Sequence, residues 1–155
     1  AMVIEAAIPA IEDEANRLIT SMTDQRMHII FETQRASQSG DTIETLDIKI
    51  CDELGTRNYE LYSGGEAFRI NLAIRIALSR LLARRAGAQL NMLVIDEGFG
   101  SQDVAARERL VETIAGVAHE FEKLLVITHL PDLKDRFPVR VEVTRGERGS
   151  RVTVV

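Results

Sequence analysis

The chain has 155 residues, 45% of them hydrophobic, which suits one ordinary domain with a real apolar core. Its formal net charge of −5 excludes a surface that attracts nucleic acid as a whole, so any DNA contact needs a local basic patch. Cys51 is the only cysteine, which excludes an internal disulfide framework and a CxxC metal site.

Of the 19 basic residues only Lys49, Lys123 and Lys134 are lysines, a bias read as genome composition or growth temperature rather than as phosphate binding. No apolar run is long enough to span a membrane. Residues 1–16 carry Glu5, Glu12, Asp13 and Glu14 and lack the basic start of a signal peptide. The chain opens straight into a helical pattern without an initiating Met, as expected of a piece of a longer protein.

Ile4, Ile8, Ile11, Ala15, Leu18 and Met22 are spaced 4, 3, 4, 3, 4, a heptad seam with Glu12, Asp13, Asn16 and Arg17 between its members. Such a seam suits the last turns of a coiled coil, and equally an amphipathic helix lying on a core. Pro9 predicts a kink or a fresh helix start. Residues 27–34 read as a strand. Leu46, Ile48 and Ile50 alternate with Asp47, Lys49 and Cys51 as a second, half-buried one, and Ser37, Ser39 and Gly40 supply the turn of an antiparallel hairpin. Residues 52–59 read as loop and short extended structure.

A helix is expected over 64–86, with Ile70, Ala73, Ile74, Ala77, Leu78, Leu81 and Leu82 on its inner face. Arg84 and Arg85 suit its last turn, and Gly87 is placed to end it. Residues 92–95 read as a buried parallel strand. Residues 105–121 read as a helix with Leu110, Val111, Ile114, Ala118 and Phe121 inward, and residues 124–127 as a second buried strand. Strand, helix, strand implies a parallel crossover. Residues 139–144 and 151–155 close the chain as a hairpin around Gly146 and Gly149.

Four segments carry chemistry. Ser63-Gly64-Gly65-Glu66 has the spacing of a capping box. Its two glycines, costly in a first helical turn, leave backbone N–H groups open to an anion. A plain capped helix explains the same letters. Asp96 and Glu97 end an apolar strand at the edge where parallel α/β folds bind ligands. One acid there can hold Mg²⁺ through water, and the next can orient or deprotonate a water for attack on phosphate, although a surface acidic pair starting a turn has the same pattern. Asp103 suits an N-cap, and on a sharper reading shapes a loop at a subunit interface. His129 ends the second buried strand, either as a polar loop residue or within reach of a terminal phosphate. No G-x-x-x-x-G-K-[ST] loop occurs, so the chain has no cradle for β- and γ-phosphates.

Taken in order, Ser63-Gly64-Gly65-Glu66, Ile95-Asp96-Glu97, Asp103 and Thr128-His129 resemble the signature, Walker B, D-loop and H-loop of an ATP-binding-cassette ATPase. The run Gly98-Phe99-Gly100 after the acids is similar to the SbcC family, the bacterial relatives of eukaryotic Rad-fifty, where transporters usually carry Pro and Thr. The helix, the Ser21–Arg26 stretch and the hairpin ahead of the signature resemble that family's C-terminal arm base. Tyr62 departs from the pattern, standing where the signature commonly has a leucine-like residue.

The resemblance implies an α/β fold: the C-terminal lobe of a P-loop NTPase head, with parallel strands, flanking helices, an antiparallel hairpin and an N-terminal coiled-coil stub. Residues 1–24 would be the coiled-coil base and 25–155 the C-terminal half of the head. It implies ATP and Mg²⁺ as ligands, with Ser63 and Gly65 contacting the γ-phosphate held by a second head, and Gly64 and Glu66 shaping that turn. Asp96 would support Mg²⁺, Glu97 polarise the attacking water, Asp103 lie at the dimer interface and His129 sense the γ-phosphate. Partners implied are the N-terminal Walker A half of the same protein, a second head, an SbcD-type nuclease and double-stranded DNA, in the cytoplasm at the nucleoid, with no membrane. The chain alone is expected to be inactive, and ATPase activity to need the Walker A half. Gly98-Phe99-Gly100 argues against an SMC or RecN head, and four ordered motifs against a merely structural or regulatory α/β module.

Overall fold

A computed structural model describes residues 6–36, 42–62, 64–88, 90–147 and 149–155. Ile4, the turn at 37–41 and Ser63 lie outside the described residues.

Helix α1, Ile8–Thr23, starts at Pro9 as a proline in the first turn should, since its missing N–H is unneeded there. It ends where Asp24 and Gln25 take left-handed backbone and the Gln25 N–H returns to the Thr20 carbonyl at 2.9 Å. Its heptad positions Ile8, Ile11, Ala15, Leu18 and Met22 are buried in this chain's own core.

Strands β1 (His28–Ala36), β2 (Thr42–Asp52) and β3 (Gly55–Asn58) form an antiparallel sheet in that order, so the segment expected as loop and short extended structure adds a third strand. β1 is an edge strand, and an edge exposes unpaired backbone groups. Polar side chains of α1 cover it. The Asn16 amide donates to the Ile29 carbonyl at 2.8 Å and accepts from the Ile29 N–H at 2.7 Å, and Glu12 accepts from the Phe31 N–H at 2.8 Å. Residues that looked like spacers in the heptad thus weld the helix to the sheet.

A 3-10 turn, Tyr59–Leu61, leads to α2, Gly64–Ala86, with the bounds its glycines and arginines predict. Its buried face differs from the expected one. Ile70, Leu72, Ala73, Ile76, Ala77 and Arg80 are buried, whereas Leu78 and Leu82 are 39% and 65% exposed. The reason is Arg80. Its guanidinium pairs with Glu14 on α1 and with Glu120, donating from Nε to Glu120 Oε2 at 2.5 Å, and this turns the helix so that an arginine rather than leucine faces α1.

Strands β4 (Leu90–Asp96) and β5 (Phe121–Ile127) pair in parallel across α3 (Val104–Val117). The expected helix over 105–121 stops earlier: a 3-10 turn, Ala118–Glu120, follows, and Phe121 is the first residue of β5, buried as expected but from a strand. The two strands are covered on one face only. Leu93 and Ile95 turn inward, while Met92, Val94, Leu125 and Ile127 are exposed, because among the described residues no layer lies over them. A 3-10 turn at Pro131–Leu133 precedes the hairpin of β6 (Val141–Gly146) and β7 (Gly149–Val154), whose ladder is extended by paired Arg140–Val155 backbone bonds of 2.9 and 2.8 Å.

Candidate functional site

The parallel pair ends with its catalytic candidates side by side. Asp96 is the last residue of β4, opposite Ile127 of β5, and the Glu97 N–H continues the ladder to the Ile127 carbonyl at 2.9 Å. Two residues beyond that carbonyl, His129 places Nδ1 at 3.0 and 3.1 Å from the two Glu97 carboxylate oxygens. A carboxylate only accepts, so this contact puts the proton on Nδ1 and leaves Nε2 as the ring's second hydrogen-bonding atom. The Glu97 side chain is 46% exposed and that of His129 74%.

Glu97 holds φ +58°, a left-handed conformation rare for a glutamate, and Gly98 follows at φ +95°. The second position has no alternative to glycine. A Cβ on Gly98 would stand 2.1 Å from the ring of Phe68, which packs at 6.2 Å between ring centroids on the fully buried Phe99. Gly98→Ala is therefore expected to destabilise the fold by about 2–4 kcal/mol, from backbone strain and overpacking together. The check is the urea midpoint, and a shift below about a quarter of that range would mean Phe68 swings away at little cost.

The glycine turn of α2 lies against the loop after β4. Gly64 has φ +59°, and a Cβ on Gly65 would stand 2.7 Å from both the Ser101 carbonyl and the Gln102 amide. Glu66 is exposed in the first turn. Asp103 caps α3, its Oδ1 accepting from the Ala106 N–H at 2.7 Å. That bond, with the charges of Arg109 and Arg69, holds its carboxyl below the usual carboxylate range. The capping role expected of Asp103 is thus present. Behind the turn, a cleft of about 290 Å³ is lined by Arg26, Arg69, Arg109, Glu66 and Asp103, and burial is the main cause depressing the Arg69 guanidinium.

Tyr62, just ahead of Ser63, is buried. Its hydroxyl donates to Asp52 Oδ2 at 2.6 Å, Arg57 pairs with the same carboxylate, and the Arg57 guanidinium lies 4.5 Å from the Tyr62 ring centre. The tyrosine that departs from the signature pattern is the anchor of that segment to the β2–β3 turn. The Tyr62 bond is the largest cause holding Asp52 below its ordinary range. Burial first, then Asp52, pushes Tyr62 up from 10.0 to about 12. A raised folded-state value stabilises fully below the unfolded one and is lost as pH climbs through the folded one. The stability advantage of the wild type over Tyr62→Phe should therefore be constant up to pH 10 and shrink toward pH 12, measured by urea unfolding at each pH. A constant difference across that window would remove Tyr62 as an alkaline titrating group.

The structure thus gathers Asp96, Glu97 and His129 at one strand edge and sets Gly64, Gly65 and Asp103 around the adjoining loop. Among the described residues no group of three or more His, Cys, Asp or Glu forms a metal cage. Asp96 stands exposed at the end of β4, the one carboxylate that the resemblance offers to Mg²⁺. Sequence reasoning missed Gln102, Arg80 and Phe68. Nothing in the letters around Gln102, which stands between Ser101 and Asp103 in a polar stretch, set it apart.

Residues 20–116 match the family described as SbcC/RAD50-like, Walker B motif. The SbcC component of the SbcCD nuclease of Staphylococcus saprophyticus is 30% identical over 134 residues, 84% of this chain and 13% of that protein. A probable DNA double-strand break repair Rad50 ATPase of Aquifex aeolicus is 31% identical over 156 residues, 99% of this chain and 15% of that protein. The chain therefore spans only about a seventh of the length of these relatives. Among solved structures, the Smc head domain with an extended coiled coil, bound to the C-terminal domain of ScpA, from Pyrococcus furiosus is similar at TM-score 0.76 and 18% identity, over 99% of this chain and 36% of that one. The SMC head domain of Thermotoga maritima follows at TM-score 0.61 and 21% identity, over 98% and 49%. The α/β fold is shared with these head domains, in line with the α/β head lobe that the resemblance implied.

Proposed function

The chain belongs to the SbcC/RAD50-like ATPase family, and from that premise we propose that it is the C-terminal half of a split ATPase head that works on DNA double-strand breaks beside an SbcD-type nuclease. The observation that carries this reading is the Glu97–His129 pair beside Asp96 at the C-terminal edge of β4 and β5. In the proposed reaction ATP is the substrate. Glu97 polarises the water that attacks the terminal phosphate, and His129 orients Glu97 and meets that phosphate through its other ring nitrogen. Mg²⁺, when held near Asp96, would neutralise charge on the phosphate oxygens.

The phosphate cradle must come from elsewhere, because this chain has no Walker A loop. A Walker A half also supplies an occupant for the bare side of the sheet. Met92, Val94, Leu125 and Ile127 offer an apolar face there, as Leu78 and Leu82 do on α2. This chain alone should then show no Mg-ATP hydrolysis. Ser63, Gly64 and Gly65, with Glu66 supporting the turn, would serve the ATP held by a second head, which makes a head dimer part of the cycle, with Asp103 at its interface. α1 would continue as the coiled-coil base, and double-stranded DNA is the proposed polymer partner, in the cytoplasm at the nucleoid. Among the described residues no helix is long and apolar enough to cross a membrane.

The test is Ser63→Arg in the head reconstituted with the Walker A half. Nucleotide binding by a single head should persist, because Asp96, Glu97 and His129 are untouched and, in this reading, Ser63 serves the ATP held by the other head. ATP-driven dimerisation, followed by light scattering with a non-hydrolysable analogue, should be lost, because a long side chain fills the gap between heads. Wild-type dimerisation by that variant would leave Ser63–Glu66 as a capped helix and nothing more.

A further inference from the structure

Gln102 is one of the few polar side chains in the buried core, 6% exposed, and the motifs give it no task. Its Nε2 donates to the Gly65 carbonyl at 2.9 Å and to the Gly98 carbonyl at 3.3 Å. A carbonyl oxygen only accepts, so an atom facing two of them must be a donor, which identifies it as the amide nitrogen. Gly65 belongs to the first turn of α2, and Gly98 follows Glu97.

We infer that Gln102 is a positioning residue that locks the glycine turn of α2 and the Glu97 loop into one rigid unit. The inference rests on the proposed head and deepens it. In that reading the glycine turn acts on the partner head's ATP and Glu97 on this head's own, so Gln102 ties the two ATP sites together through one side chain. Three features of the surroundings leave little else for this position to do. Gly65 has no room for a Cβ because the Gln102 amide, 2.7 Å from where it would stand, occupies that space. Glu97 and Gly98 are both left-handed, a pair that persists only when held from both sides. On one side the Glu97 N–H is tied to Ile127, and on the other the Gly98 carbonyl accepts from Gln102 and from the Ser101 hydroxyl at 3.2 Å. The next residue, Asp103, caps α3, so any shift of Gln102 reaches that helix as well. Methionine matches the size without a donor. Glutamate matches the shape and donates only when protonated. Asparagine is a methylene too short for both carbonyls.

The experiment uses the full-length protein, with Gln102→Met, Gln102→Glu and Glu97→Gln beside the wild type. Gln102→Met should lower kcat by about ten- to a hundredfold, the scale of a misplaced catalytic group, with KM and single-head ATP affinity unchanged within about twofold. A side chain that served folding alone would not divide kcat from KM in this way. Gln102→Glu should regain part of its kcat relative to wild type as pH is lowered, because a carboxyl facing two carbonyls donates one of the two hydrogen bonds once protonated. Wild-type kcat in Gln102→Met, with turnover lost in Glu97→Gln, overturns the brace alone. Equal loss of affinity and turnover in Gln102→Met, or no pH response in Gln102→Glu, also overturns it. Wild-type turnover in Glu97→Gln overturns the site on which the brace depends.

Discussion

Glu97→Gln in the completed head is expected to lower ATP turnover by about a hundred- to ten-thousandfold, the range of a lost general base. Nucleotide binding should survive. The amide keeps the size of the carboxylate and can still bond His129, whose Nδ1 stands 3.0 Å from the position of Oε1. The left-handed backbone at Glu97 is fixed by its N–H bond to Ile127 and by Gly98, so it does not depend on the charge that is removed. ATP-bound head dimers should accumulate, visible by size-exclusion chromatography with ATP and Mg²⁺. Unchanged steady-state turnover would remove Glu97 from the chemistry and leave it a surface acid paired with a histidine.

Arg80→Leu is expected to damage the fold about as much as Gly98→Ala, through lost charge pairing rather than overpacking. The arginine side chain is 4% exposed and joins Glu14 on α1 to Glu120 ahead of β5, so three elements meet on one guanidinium. Removing it leaves Glu14 to the exposed Arg17, 2.7 Å away, and takes both guanidinium contacts from Glu120, and breaking a buried pair of this kind costs about 3–5 kcal/mol. Glu14 and Glu120 keep 17% and 27% exposure, which places the expected loss near the lower end, about 3 kcal/mol. The urea midpoint should fall with the slope unchanged. Replacing Glu14 and Glu120 by leucine in the same chain should recover most of the loss, because an apolar trio leaves no charge unpaired. A single Arg80→Leu variant as stable as wild type would show that the two glutamates reach water without it.

The local facts were written in the sequence. Gly64 and Gly87 bound α2, Pro9 opens α1, Asp103 caps α3, and the alternation of Leu46, Ile48 and Ile50 gives one strand of the hairpin. Each depends on backbone preferences or on side-chain bonds within a turn or two, which neighbouring letters report directly. The order of four motifs also assigned the family, because each loop's chemistry is confined to a few adjacent residues.

Tertiary structure alone decided which way the long elements face. α2 carries apolar residues around much of its circumference, so periodicity could not say that Arg80 would turn inward and Leu78 and Leu82 outward. Arg80 turns onto Glu14 and Glu120, both far from it in the chain. The strands β4 and β5 read as buried on both faces because their residues are apolar in unbroken runs, yet coverage depends on a neighbouring layer, and among the described residues only one face has one. Gln102 is the sharpest instance. Its role comes from two carbonyls 37 residues before it and 4 residues before it, brought to one side chain by the packing of α2 on the β4 loop. No local pattern encodes such a meeting, since a buried amide is recognised by its partners, and those exist only once the chain has folded.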